Sequence, residues 1–93
     1  MTKCIWKEAV QSFPHAGRFE VPRGSKFLSA REQGEHSVGF WFECDPREPA
    51  TDCVDFALVE TGKELPTNMR YLGVAMFEEG SYVLHAYVEE VTS

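Results

Sequence analysis

The sequence predicts an all-β domain of about seven short, mainly antiparallel strands, arranged as a small two-sheet sandwich or an open barrel. Three observations predict it. Apolar residues alternate with period two through most of the chain, and the 3.6-residue period of a helix is hard to find. Short apolar runs are broken by Pro, Gly, Asp and Asn, the residues that build turns. Most connections are too short for crossover helices, so sequential hairpins are expected.

Residues 3–10 read as the first strand, with Cys4, Trp6 and Glu8 on one face and Ile5 on the other. Residues 18–21 form a short second strand that runs into Pro22-Arg23-Gly24-Ser25. Pro22 presets the backbone for the second position of a turn, and Gly24 supplies a positive φ without steric cost. The third strand, residues 26–32, alternates Phe27 and Ser29 against Leu28 and Ala30. A polar hairpin at residues 33–36 leads to the strongest strand, residues 37–44. There Val38, Phe40 and Phe42 alternate with Gly39, Trp41 and Glu43, and Gly39 beside two large rings marks a place where another backbone or a bulge comes close.

Residues 45–52 carry two prolines and four charges and read as a surface loop. The fifth strand, residues 53–60, sets Val54, Phe56 and Leu58 against Cys53, Asp55, Ala57 and Val59. A second loop follows at residues 61–68, with one helical turn after Pro66. Residues 70–78 and 82–90 form a final hairpin around Glu79-Gly80-Ser81. In its first strand Tyr71, Gly73, Ala75 and Phe77 share a face; in its second, Tyr82, Leu84, Ala86 and Val88 oppose Val83, His85 and Tyr87. Neither face of this hairpin is polar enough to be fully wet, so part of it is expected in a homo-oligomeric interface.

Ninety-three residues make one domain, residues 1–93. Seven Phe, three Tyr and two Trp build a compact core from few positions. A net charge of −6 argues against general nucleic-acid binding, whose electrostatic footprint is basic. Three cysteines, Cys4, Cys44 and Cys53, form no CxxC pair, which points to small apolar residues kept as thiols in an intracellular protein. No apolar run approaches the roughly 18 residues of a membrane span, and no metal or other cofactor is expected.

No catalytic motif is present, whether a nucleophile elbow, a phosphate loop opening a helix or a metal signature. His15 and His36 lie in a loop and a polar hairpin and read as solvated, whereas His85 lies within an apolar strand. A phosphoester hydrolase would need His85 beside a carboxylate in a cleft. The pairs Glu78-Glu79 and Glu89-Glu90 read as solvated charges. Binding has more material. Arg18, Arg23 and Lys26 flank one turn, and Lys63 and Arg70 flank the Thr61-Gly62 loop. Backbone N–H groups at Gly24 and Gly62 beside these cations suit a phosphate or carboxylate. Trp6, Trp41 and Tyr87 suit stacking or partner packing.

The order of several pieces resembles a family of small uncharacterised bacteriophage and prophage proteins, a domain of unknown function. The pieces are Ile5-Trp6-Lys7, the run from Val21 through Ser29, Trp41 with Asp45-Pro46, Thr61-Gly62, Tyr71-Leu72-Gly73 and His85-Ala86-Tyr87-Val88-Glu89. The resemblance implies a phage-encoded accessory protein acting in the host cell cytoplasm. Where that family carries a Gly before the Thr and a His after the Gly, this chain has Glu60 and Lys63.

Two functions are expected from these readings. The first is non-enzymatic sequestration of a small anionic, nucleotide-derived immune signal at a subunit interface, by analogy with other small phage proteins. Arg23, Lys26, Trp41, Thr61, Gly62, Lys63, Arg70 and His85 would contact it. The second is a protein–protein module that inhibits a host protein or serves as a small structural accessory. The placement of Arg23, Lys26, Lys63 and Arg70 discriminates between them: convergence favours the ligand, dispersal the partner.

Overall fold

The structure is a computed structural model that describes residues 2–89. Glu90, the expected end of the last strand, lies outside the described residues. The described residues form seven strands: β1 (Cys4–Gln11), β2 (Ala16–Val21), β3 (Lys26–Glu32), β4 (Ser37–Cys44), β5 (Asp52–Glu60), β6 (Met69–Phe77) and β7 (Tyr82–Glu89). They form two antiparallel sheets, a three-stranded one ordered β1-β4-β3 and a four-stranded one ordered β2-β5-β7-β6. The all-β, two-sheet expectation holds, and the sheets do not close into a barrel.

Alternation explains which face each strand buries. Val38, Phe40, Phe42 and Cys44 point inward from β4, Val54, Phe56 and Leu58 from β5, and Leu84, Ala86 and Val88 from β7. Between the sheets Phe19, Phe27, Phe40 and Phe56 form one aromatic cluster, with Phe19–Phe56 ring centroids 4.8 Å apart and Phe19–Phe40 5.0 Å apart. These offset and edge-on contacts are the arrangements that ring quadrupoles favour. Cys4 is half-buried opposite buried Cys44, whose thiol is pushed up by burial and then by Cys4, while Cys53 is exposed.

The connections depart from simple hairpins. Only β3–β4 and β6–β7 join sequence neighbours within a ladder, while β1–β2, β2–β3 and β4–β5 each carry the chain from one sheet to the other. Sheets about 10 Å apart can be bridged by a few residues, so a short loop does not require a hairpin. In the registers, Phe56 and Arg70 both oppose Val88, and Glu60 and Ala75 both oppose Leu84. β5 and β6 therefore run parallel on either side of β7, and residues 61–68 travel back along the sheet. Extended chain covers that distance, so the expected helical turn after Pro66 is replaced by a turn at Thr67 and Asn68. Among the described residues a 3-10 turn lies instead at Glu78–Gly80.

Two bulges correct the expected faces. The β3–β4 register slips between Phe27 and Ser29, so Leu28 stands out of the ladder and both Phe27 and Ala30 are buried. The β6–β7 register slips between Tyr71 and Gly73, which turns Tyr71 away from buried Ala75 and Phe77. The bulged strands β3 and β6 lie side by side where the two sheets meet. A Cβ on Gly73 would sit 2.3 Å from the Ala30 carbonyl oxygen, so only glycine allows this approach. Side chains complete the seam: the Arg70 guanidinium donates to the Phe27 carbonyl at 2.8 Å, and the Met76 N–H donates to Glu32 at 3.0 Å.

Two polar expectations also change. The loop at residues 45–51 is not wholly a surface loop, because Asp45 is 7% exposed. Its carboxylate accepts from the Arg47 backbone N–H at 3.0 Å and from the guanidinium at 3.1 Å. His15 is half-buried rather than solvated, since its Nε2 shares a 3.0 Å hydrogen bond with the Tyr82 hydroxyl.

Hydrogen bonds from Arg47 hold the Asp45 carboxyl below the ordinary aspartate range, a bond from Arg18 does so for Asp55, and the Met76 amide does so for Glu32. A carboxyl lowered in the folded state contributes its full stability above its unfolded pKa, about 4. That contribution is lost as pH falls through the lower folded value. The melting temperature is therefore expected to drop between neutral pH and about pH 3. Asp45→Asn is expected to melt lower at neutral pH and to show a shallower acid drop, read by circular dichroism.

Candidate functional site

β7 places Val83, His85 and Tyr87 on the face turned away from the core, because Leu84, Ala86 and Val88 between them are buried. β5 adds Asp55, Ala57 and Val59 by the same alternation, with Ala57 opposite Tyr87 and Val59 opposite His85. β6 adds Val74 opposite His85 and Met76 opposite Val83. The bulge at Leu72 brings Tyr71 onto this face opposite Tyr87. Tyr71 is 49% exposed and Met76 53% exposed. Without that slip the tyrosine would point toward the core side of the sheet.

His85 lies at the centre. Its Nε2 and the Thr61 hydroxyl share a 3.0 Å hydrogen bond, and its Nδ1 lies 3.4 Å from the Tyr71 hydroxyl. A neutral imidazole has one donor and one acceptor nitrogen, and both hydroxyls can serve either one. The Tyr71 ring packs edge-on to Tyr87 with centroids 5.4 Å apart, and it tilts over His85 at 6.0 Å. The hydrogen-bond partners of His85 are thus hydroxyls, not the carboxylate that a general base of the expected kind would have. At the β2 margin of the face, Arg18 Nε donates to Asp55 at 2.7 Å, and Glu89 accepts from the Asp55 N–H at 3.2 Å.

Of the expected site residues, the structure joins Thr61 and His85, with Gly62 in the adjoining turn at φ 90°. Lys63 extends from the same exposed turn, its N–H bonded to the Glu60 carbonyl at 3.1 Å. The other cations lie elsewhere. Arg23 pairs with Glu48 at 2.9 Å beyond the opposite end of β5, where Val21 opposes Asp52. Lys26 opposes Glu43 at the start of β3, and Arg70 serves the seam between the sheets. Arg23, Lys26, Lys63 and Arg70 do not converge.

The turn at residues 22–25 has a carboxylate of its own. The Gly24 N–H, expected to face an anionic ligand, donates to the Asp52 side chain at 2.9 Å. The Ser25 N–H donates to the Pro22 carbonyl at 3.1 Å, which makes Pro22 the first residue of the turn rather than its second. Gly24 is then the third, with φ 83°. Trp41 is half-buried and lies over Gly39, whose Cβ would meet the indole at 3.0 Å, and the Lys7 ammonium stands 6.0 Å from the ring centroid. The indole of Trp41, and not another backbone or a bulge, therefore fills the space expected to be close at Gly39. An open groove of ≈ 750 Å³ at the β3–β6 seam is lined by Arg31, Glu32, Val74, Met76 and Glu79 among others. Its two carboxylates outnumber its one guanidinium, a poor setting for an anion.

A family model described as a domain of unknown function (DUF7352) matches residues 1–93. No curated protein and no solved structure matches the chain.

Proposed function

We propose, for a chain that belongs to the family of the domain of unknown function DUF7352, a non-enzymatic protein-binding role in which the outer face of β5, β6 and β7 docks a partner protein. In the phage setting that the sequence resembles, the partner is a host protein in the infected cell's cytoplasm. The carrying observation is exposed Tyr71 and Met76 beside half-buried His85 and Tyr87 on a sheet face with an acidic margin. Tyrosine and methionine are enriched where proteins meet, and rigid rings lose little entropy on burial. Asp55 and Glu89 outweigh Arg18 at one margin, and with the net charge of −6 they suit a partner whose contact surface has a basic rim.

Sequestration of a small anion has less support. The four cations expected to hold it are dispersed, and Asp52 already takes the amide that would greet it.

The double variant Tyr71→Ala, Tyr87→Ala tests this reading. Both rings lie on an exposed face, so the variant is expected to remain folded. It is expected to retain a partner captured from bacterial lysate at least about tenfold less well than the parent chain, as interface tyrosines do when truncated. Capture by the parent chain is expected to weaken as salt rises. Undiminished capture by the variant, or calorimetric binding of cyclic dinucleotides by the parent chain, would overturn the reading.

A further inference from the structure

The four-stranded sheet ends in β2, whose ladder partner among the described residues is β5 alone. Which backbone groups of β2 remain open follows from one bond. The Leu58 N–H donates to the His15 carbonyl at 2.8 Å, so His15 and every second residue after it turn their backbone groups toward β5. Ala16, Arg18 and Glu20 therefore present N–H and C=O outward from the edge. Their side chains lie on the outer face, because Phe19 and Val21 between them are buried.

We infer that this edge pairs with β2 of a second copy, antiparallel about a two-fold axis through Phe19. Such an axis stands perpendicular to the sheet and keeps each residue opposite one that shares its face. Arg18 then faces Glu20 of the other copy, and Glu20 faces its Arg18, each pair joined by reciprocal main-chain bonds. The charges match. Arg18 spends only Nε on Asp55, and Glu20 has no hydrogen-bond or ion-pair partner among the described residues.

The other free edge, β1, does not offer this. Its most fully overlapped self-pairings set Lys7 against Lys7 or Glu8 against Glu8, like charges that oppose a ladder. Pairing through β2 would make one continuous eight-stranded sheet with the outer faces of both copies on the same side. A partner that meets two such faces is held by avidity. The dimer itself rests only on the edge, not on the proposed docking role.

Sedimentation velocity on the full chain, with no partner present, tests the pairing. The parent chain is expected to dimerise in a concentration-dependent way. Glu20→Arg and Arg18→Glu each set like charges opposite one another and are expected to weaken the dimer about 30-fold. The double exchange Arg18→Glu, Glu20→Arg recreates opposite charges and is expected to recover dimerisation. Glu20→Pro removes an outward N–H without touching the β5 ladder and is expected to be a folded monomer by circular dichroism. A parent chain that stays monomeric at the highest attainable concentration, or dimers that survive Glu20→Arg and Glu20→Pro, would overturn the inference.

Discussion

Phe40→Ala is expected to destabilise the chain by about 3–5 kcal/mol, the cost of deleting a fully buried phenyl ring. Phe40 has 0% exposure and packs on Phe19 from β2, Phe27 from β3 and Phe56 from β5. It is thus the ring that both sheets share, and the void left by its removal is walled on several sides. Total stability for a domain of this size is about 5–14 kcal/mol, so the loss is a large fraction of the whole. A thermal melt is expected to fall by roughly 15 °C or more. Urea titration should show the midpoint shifted with little change in slope. A loss under about 1 kcal/mol would mean that the neighbouring rings collapse into the space, and that no single ring ties the sheets together.

Gly73→Ala carries the second large effect, for the opposite reason. It adds one methyl group where the Ala30 carbonyl oxygen would lie 2.3 Å away. The obstacle is backbone in the neighbouring sheet, so no side-chain rotation relieves it, and β6 must move off β3. A cost of about 3 kcal/mol is expected, the upper range for overfilling a packed site. The damage has a signature that a simple core defect lacks. Separation of the strands exposes the Met76 N–H, which now donates to Glu32, and weakens the Arg70 bond to Phe27. Native-state hydrogen exchange at Met76 is therefore expected to speed up more than exchange in β5. Equal acceleration across both sheets would place the damage in global stability alone.

The sequence makes the buried faces of β4, β5 and β7 legible because their alternation is unbroken from end to end. Val38-Phe40-Phe42, Val54-Phe56-Leu58 and Leu84-Ala86-Val88 all point where period two sends them. It hides the phase of β3 and β6, since one unpaired residue at Leu28 or Leu72 reverses every side chain on one side of it. Gly73 in mid-strand is the local sign of such a slip. Pairing order was less accessible. Thr61 meets His85 only because β7 lies beside β5, and a loop at residues 61–68 can equally precede a hairpin or a crossover. Gly24 was legible as a turn residue, but the Asp52 that claims its amide comes from a distant strand. Local chemistry thus identified most of the pieces, and long-range pairing decided which of them meet.

The alternation of the chain between its two sheets bears on how the protein reaches its native state. β1 finds its ladder neighbour only in β4, and β2 only in β5. As the polypeptide leaves the ribosome, its first two strands must wait unpaired while later segments are made. Only the hairpins β3–β4 and β6–β7 can zip up early, and the rest depends on distant encounters with a high entropic barrier. Such a chain belongs among the slow folders of the millisecond-to-second class, exposed meanwhile to clumping through its waiting edges.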